Sequence, residues 1–492
     1  MLAETAMINL PPADDYIRVL PEIILTGAGT LIMLLEPLTS RRRKEWLGYF
    51  AIAALIVSLW GTAVAYAVGG NAFSNLLVVD GFATYFRALV IVVGILGILA
   101  SFQYLRREHA DKGEYYALIL FSVVGQCLMA SANELIIMFI GLEISSIATY
   151  VLAGFLRDDK RNNEAAVKYF LLGSFATAFL LYGIAWIYGA TETTVLPSIR
   201  ANLLSRDMNI SVTMVSVAAA LMFVGFAFKV SVVPFQIWAP DVYQGAPAPV
   251  SAFMSAGPKA AAFAMLVRVY MTAFEPITNR WEPFVWACAL LTMVLGNFAA
   301  LLQTNIKRLL AYSSIAHAGY ILVAVAAHSK IGVAAVMFYT AAYAFMNVGA
   351  FAVVSWFSRQ GERYVDIDDF AGLGWQQPLP AALFSLFLLS LIGVPLTGGF
   401  FGKFYIFKAA LDSNLVWLAV FGLLTSAVGA YYYLRILVVM YMREPAEPAQ
   451  TAPAVGPGMQ AALWISAIGT LILGIFPSAL LDFLRGSSTL AR

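Results

Sequence analysis

Fourteen apolar runs, each about as long as a bilayer is thick and separated by short polar loops, constrain this chain more than any other feature. A helix rises about 1.5 Å per residue, so about 20 apolar residues cross the hydrocarbon layer. Backbone N–H and C=O groups in lipid must bond within their own element, which leaves helices or closed barrels, and runs of this length read as helices. The predicted helices 1 to 7 are 16–36, 47–68, 81–104, 115–131, 133–156, 165–189 and 212–237; helices 8 to 14 are 247–274, 283–303, 308–327, 331–358, 380–411, 415–443 and 459–484. The chain is 61% apolar and 12% charged, where a soluble domain is about half apolar and a quarter charged. The fold class is therefore an all-α polytopic membrane protein, one membrane domain over 1–492. MLAETAMINLPPADD lacks the cationic start and unbroken apolar core of a cleaved signal.

The acidic and basic residues are expected mostly in the loops. Loops after odd-numbered helices hold fifteen: Arg41, Arg42, Arg43, Lys44, Arg106, Arg107, Lys112, Arg157, Lys160, Arg161, Lys307, Arg308, Arg359, Arg363 and Arg443. Loops after even-numbered helices, with the termini, hold seven: Arg18, Arg200, Arg206, Arg280, Lys330, Arg485 and Arg492. Cationic loops stay cytoplasmic, so both termini are expected on the outer face. Residues 444–458, EPAEPAQTAPAVGPG, read as a flexible loop.

Several activities are disfavoured. Cys127 and Cys288 stand alone in apolar runs, without CxxC or Cys/His spacing, so iron–sulfur, zinc and disulfide roles are not expected. His109, His317 and His328 are too scattered for a haem pair. No GxGxxG follows a predicted strand and no GxxxxGK[ST] loop occurs. The net charge of +2 says nothing about nucleic acid, and no nucleic-acid partner is expected.

What remains is the charge inside the spans. The stretch Phe228–Lys259 (FKVSVVPFQIWAPDVYQGAPAPVSAFMSAGPK) puts Lys229 before Pro234 and Pro240, then Asp241, a Gln-Gly-Ala-Pro turn and Lys259. A lysine at membrane depth costs about 3 kcal/mol, and proline removes a backbone donor. Such costs make sense where charge or polar backbone is presented inside the bilayer. Helix 12 is broken in the same manner, by Pro395, Gly398, Gly399 and Gly402 around Lys403, whose neighbouring free carbonyls can solvate a cation. Glu143 lies mid-span in helix 5 and must be neutral or paired. It is either a functional acid or a structural partner for a lysine. Lys229 is a proton carrier or a lysine snorkelling to the interface. A lysine carries protons only if its environment supplies about 4–5 kcal/mol against the charged form. Lys259 is buried or interfacial. Lys168 snorkels or tunes Glu143. His317 packs or relays protons. Lys307 and Arg308 read as topology determinants, Asp241 and Tyr243 as positioning residues, and Tyr431-Tyr432-Tyr433 as packing or lining an interface. Lys408 is expected to face away from Lys403.

An internal repeat supports this. Ser145-Ser146-Ile147-Ala148 recurs as Ser313-Ser314-Ile315-Ala316, Ala165-Ala166-Val167 as Ala334-Ala335-Val336, and Lys229 pairs with Lys403, at offsets of 168, 169 and 174. Five helices is an odd number, so the second copy must be inverted. Inverted repeats with matching broken helices mark a transport site near the midplane.

FKVSVVPFQIWAPDVYQGAPAPVSAF, QTNIKRLLAYSSIAHAGY and GVPLTGGFFGKFYIFKAAL resemble the antiporter-like subunits of respiratory complex I, the proton-pumping NADH:quinone oxidoreductase. The run WAPDVYQGAPAPV, and lysine at both 259 and 403, fit the subunit N branch, counterpart of mitochondrial subunit 2. The similarity covers essentially the whole chain. It implies fourteen helices: 1–3 over 1–114, a first repeat of helices 4–8 over 115–274, a second of helices 9–13 over 283–443, and helix 14. It implies proton-transfer roles for Glu143, Lys229, Lys259 and Lys403, and Lys168 matches the helix-6 lysine of subunit N; Lys168 and His317 are the candidate modulators. It also implies a bacterial cytoplasmic-membrane location beside other complex I membrane subunits, including another antiporter-like subunit and a small one. Flavin, iron–sulfur clusters and quinone are expected in other subunits and no cofactor in this chain. In the implied mechanism, quinone reduction elsewhere perturbs one end of a buried polar line, Glu143 and Lys229 approach or separate, and protons hop among the three lysines. The competing readings are a subunit of a multisubunit cation/proton antiporter, a scaffold without transport, and a solute carrier. WAPDVYQGAPAPV argues against the first.

Overall fold

A computed structural model of the chain describes residues 11–39, 44–205 and 210–488. Arg41, Arg42, Arg43, Arg206 and Arg492 of the loop count lie outside them. Among the described residues, twelve helices are long and apolar enough to cross a membrane, by length and composition. They are helices 2 (Glu45–Val68), 3 (Gly81–Arg107), 4 (Gly113–Ser131), 5 (Leu135–Ala153), 6 (Lys160–Thr191), 7a (Val212–Val230), 8 (Ala248–Thr272), 9 (Thr278–Leu301), 10 (Ile306–Ala326), 11 (Lys330–Phe357), 13 (Val416–Met442) and 14 (Pro457–Ile475). Helix 1 (Leu20–Leu35) is shorter. Helix 12 comes in two pieces, 12a (Pro378–Ile392) and 12b (Gly398–Asp412), and helix 7a is followed by the short helix 7b (Trp238–Gly245). With helix 1 and the two-piece helix 12, the described residues of this nearly all-helical membrane protein make fourteen candidate spans, two of them broken. A small antiparallel hairpin, Gly70–Ala72 against Leu77–Val79, joins helices 2 and 3.

Local chemistry sets the helix ends. Side chains of Asp80, Glu134, Asp159, Ser211, Asn305 and Ser329 accept from the first free N–H groups of helices 3, 5, 6, 7a, 10 and 11. Helices 7a and 12a end alike. Ser231 and Gly393 adopt the left-handed conformation (φ 63° and 95°), and the next N–H reaches back five residues, Val232 to Ala227 and Val394 to Leu389. Beyond these caps stand Pro234 and Pro395, which cannot continue the helix.

Packing is layered. Helix 8 is buried throughout its most apolar stretch and helices 10 and 11 nearly so, while less than half of that stretch is buried in helices 2, 6 and 13. The broken helices therefore sit against an interior wall of helices 8, 10 and 11.

Three expectations need correction. Charge is not confined to the loops: Arg87 in helix 3 and Arg268 in helix 8 are fully buried, each paired with a carboxylate, Glu22 and Asp80. Residues 444–458 are held against the body rather than free. Ala446 N–H donates to the Ala371 carbonyl, and Gln103, Trp356 and Arg359 donate to the carbonyls of Ala454, Pro453 and Pro448. Lys307 is no surface topology determinant; its ammonium is buried, donating to the Ala246 carbonyl (2.6 Å) and paired with Glu362 (2.5 Å).

Candidate functional site

Lys229 occupies the last turn of helix 7a and is 4% exposed. Its Nζ donates to Ser146 Oγ of helix 5 (2.8 Å) and to the Tyr169 hydroxyl of helix 6 (3.1 Å). It also lies 5.2 Å from the Tyr169 ring centre and 5.7 Å from that of Tyr150. Trp238 at the start of helix 7b stacks on Tyr169 (4.4 Å, 7°) and donates Nε1–H to the Phe228 carbonyl (2.9 Å). The indole thus takes a carbonyl at the helix break, and the N–H of Val233 goes to Thr292 Oγ1 (3.0 Å) of helix 9.

Lys259 lies in helix 8 and is 3% exposed. It donates to the Ser314 carbonyl (3.1 Å) and hydroxyl, both in helix 10, with the Tyr343 ring at 6.0 Å. One turn beyond Ser314 is His317, whose Nδ1 meets the Tyr339 hydroxyl (2.5 Å) and whose Nε2 meets that of Tyr433 (3.2 Å). Tyr433 also bonds Ser313, and Tyr432 bonds Asn297 (3.1 Å), while Tyr431 is exposed. Two of the three tyrosines read as packing residues thus belong to the buried polar network.

Lys403 lies in helix 12b, 7% exposed, and donates to the carbonyls of Leu391 (3.0 Å) and Ile392 (2.8 Å) and to Ser426 Oγ (2.7 Å). The Leu391 carbonyl is free because its helical partner, four residues on, is Pro395, which has no N–H. These carbonyls form the C-terminal end of helix 12a, where a cation is favoured. Gly399 lets 12b pass this end: a Cβ there would stand 1.8 Å from the Ser390 carbonyl oxygen. Tyr320 places its ring 5.0 Å from Lys403 and 5.6 Å from His317. Lys408 faces away and is exposed.

Lys229, Lys259 and Lys403 share one feature. Among the described residues none has a carboxylate within ion-pair distance; each is met by hydroxyls, carbonyls and aromatic rings. Glu143 lies one turn before Ser146 in helix 5, with one carboxylate oxygen buried and without a hydrogen-bond partner. The Ser146 hydroxyl, not Glu143, receives the Lys229 ammonium. Lys168 does not reach Glu143. It pairs with Glu164 and Asp241 (2.7 Å each), and Arg308 holds the other oxygen of Asp241 (2.6 Å). Asp241 thereby fastens helix 7b to helices 6 and 10.

The repeat signal also needs revision. Lys229 stands two residues before its left-handed cap at Ser231, whereas Lys403 stands ten residues after the cap at Gly393. They are not equivalent positions, and the Leu391 carbonyl that Lys403 uses corresponds in place to Lys229. The serine match is the more informative one. Ser146 and Ser314 are the second serines of the two Ser-Ser-Ile-Ala copies, and each accepts from a lysine. Their recurrence was the available sequence signal for residues otherwise overlooked; Tyr169, Trp238 and Ser426 gave none. No group of three or more His, Cys, Asp or Glu side chains capable of holding a metal ion occurs among the described residues.

Residues 132–429 match the family model described as NADH:quinone oxidoreductase/Mrp antiporter, TM. The chain is 64% identical to NADH-quinone oxidoreductase subunit N 1 of Solibacter usitatus, over 96% of this chain and 97% of the relative. It is 49% identical to subunit N 2 of Koribacter versatilis, over 98% of each. Among solved structures, a chain of respiratory complex I from Thermus thermophilus with bound aureothin aligns with a TM-score of 0.80 at 34% identity, covering 95% of this chain and all of that one. A chain of the Mrp complex from Dietzia sp. DQ12-45-1b shares the fold, with a TM-score of 0.85 at 21% identity, covering 96% of this chain and 97% of that one.

Proposed function

Since the chain belongs to the NADH:quinone oxidoreductase/Mrp antiporter family, as a subunit N of NADH-quinone oxidoreductase, we propose that protons cross it along the line Lys229, Lys259 and Lys403, with Glu143 as the acid that governs Lys229. One observation carries this reading: three buried ammonium groups with only neutral partners. An unpaired charge in a dry interior is costly, and a lysine in that position is one proton away from removing the cost. A hydroxyl serves either state, accepting from an ammonium or donating to an amine, so Ser146, Tyr169, Ser314 and Ser426 suit a group that alternates.

Between Lys259 and Lys403, Ser314, His317, Tyr339, Tyr433 and Tyr320 supply hydroxyls and an imidazole that hold or pass a proton. At the other end, movement of Glu143 towards Lys229 stabilises the ammonium, and its withdrawal or protonation lets the proton leave. Moving one charge against 100 mV takes about 2.3 kcal/mol, within the reach of forming or losing such a pair. Quinone reduction, and the flavin, iron–sulfur and quinone chemistry behind it, belong to other subunits. The neighbours include another antiporter-like subunit and a small membrane subunit. The location is the bacterial cytoplasmic membrane, with the lysine- and arginine-rich loops inside and both termini outside.

Lys229→Ala in the intact complex tests the reading. The expected result is an assembled complex that oxidises NADH with a lowered proton-to-electron ratio. A full ratio in that variant contradicts it.

A further inference from the structure

The buried pair of Lys307 and Glu362 takes no part in the line described above. Lys307 opens helix 10 and is 1% exposed; Glu362 comes from the loop between helices 11 and 12 and its side chain is 11% exposed. One Glu362 oxygen accepts from the Ala248 N–H at the start of helix 8 (2.7 Å), the helix that carries Lys259, and the other meets Lys307. The loop is bent hard to deliver this carboxylate. Arg359, Gly361 and Glu362 all have positive φ (58°, 68° and 48°), and strain in non-glycine residues of this kind gathers at functional sites. Arg161 and Glu108 clamp Gly361 from both sides of its backbone.

Outside the pair is a cavity of about 170 Å³ that opens on the face of the cationic loops, lined by Arg161, Glu164, Lys168, Asp241, Gln244 and Glu362. Inside it, Lys307 and Ser314 stand seven residues apart on helix 10, two turns and about 10 Å along the same face. Ser314 holds Lys259. The buried hydroxyl of Tyr243 lies beside Ser314, and that of Tyr104 beside Glu362. A titratable pair thus stands between a polar cavity and the middle lysine of the line.

We propose that Glu362 is a further proton-transfer residue, receiving protons from the cavity and handing them through Lys307 towards Ser314 and Lys259. A proton from the solvent, relayed as hydronium through water in the cavity, adds to the Glu362 carboxylate. Lys307 passes a proton inward to Lys259 in its amine form beside Ser314; the Glu362 O–H then breaks as a new N–H forms on Lys307, and the pair returns to carboxylate and ammonium. The charged and titratable groups facing Glu362 are Lys307, Tyr104, Arg161 and Glu108, with Asp241 across the cavity.

The proposal rests on the lysine line as the route, so the test runs Glu362→Gln and Glu362→Asp beside Lys259→Ala in the intact complex. Proton-to-electron ratio and pumping rate are read from mildly acidic to mildly alkaline pH. Glutamine keeps an acceptor for Ala248 but carries no proton; aspartate keeps the acid. The expected result is an assembled Glu362→Gln complex whose pumping falls several-fold at alkaline pH, where protons are scarce, and less at acidic pH, with Glu362→Asp restoring most of the loss. Wild-type pumping by Glu362→Gln at every pH, with Lys259→Ala defective, overturns this proposal alone. Failure of Glu362→Gln to assemble, or equal pH-independent defects in both Glu362 variants, assigns a structural role and also overturns it. Full pumping by Lys259→Ala removes the reading beneath it instead.

Discussion

Arg87 and Arg268 are as deeply buried as Lys229, Lys259 and Lys403, yet their surroundings are opposite. Arg268 is bidentate to Asp80 (2.9 and 3.0 Å) and donates to the Ala130 carbonyl. Arg87 pairs with Glu22 (2.8 Å) and donates to the Arg18 carbonyl. An arginine never gives up its proton in a protein, so its charge needs a permanent partner. The lysines have neutral partners only, which tolerate the loss of the charge. The arginine pairs tie helices 1, 3, 4 and 8 together, and the lysines lie along the helix breaks and the interior wall. Within the lysine set the two breaks differ again. Trp238 takes the Phe228 carbonyl at the first and leaves Lys229 to hydroxyls, while Lys403 itself takes the free carbonyls at the second.

The largest effect expected from this contrast is on assembly. Arg268→Ala leaves Asp80 buried without its partner and costs about 3–5 kcal/mol, so the yield of intact complex in membranes falls sharply on native gels. Adding Asp80→Asn, which keeps the helix 3 cap, recovers part of it. Burial pushes the Asp80 carboxyl up, but the Arg268 guanidinium and the N–H of Ala83 outweigh this and hold it below the usual carboxylate range. The pair's stabilisation is therefore present above about pH 3.9 and is lost only as pH falls through the lowered native value. Pumping per assembled complex stays normal if these arginines are structural.

Much of this was legible in the sequence and some was not. The fourteen spans and both breaks follow from apolar run length and from Pro234 and Pro395, because lipid leaves the backbone no other choice. Lys229, Lys259 and Lys403, which the sequence puts inside such runs, are buried in the fold. Their partners do not follow from the runs. Hydroxyls at Tyr169 and Ser426 come from other helices with nothing local to mark them as facing a lysine, and only the repeated Ser-Ser-Ile-Ala pointed to Ser146 and Ser314. Lys307 misled because a lysine at a helix start reads as a loop charge until Glu362, brought 55 residues along the chain, is seen beside it. The equivalence of Lys229 and Lys403 misled because residue type repeated without the position repeating.

A smaller effect sharpens the difference between the breaks. Tyr169→Phe keeps the ring over Lys229 and the stack on Trp238 but removes one hydroxyl, worth about 1–2 kcal/mol. Pumping is expected to slow by less than about tenfold, with assembly and the proton-to-electron ratio unchanged, as read by acidification in vesicles. A lost ratio would mean that this hydroxyl is itself on the route.

The most direct test of removable against permanent charge is the proton-to-electron ratio of the intact complex carrying Lys259→Arg. Arginine preserves the buried positive charge and most of the volume but cannot release its proton. The expected result is an assembled complex that oxidises NADH with a clearly reduced ratio. A wild-type ratio would show that the position needs only a fixed cation, and would contradict proton transfer through the lysine line.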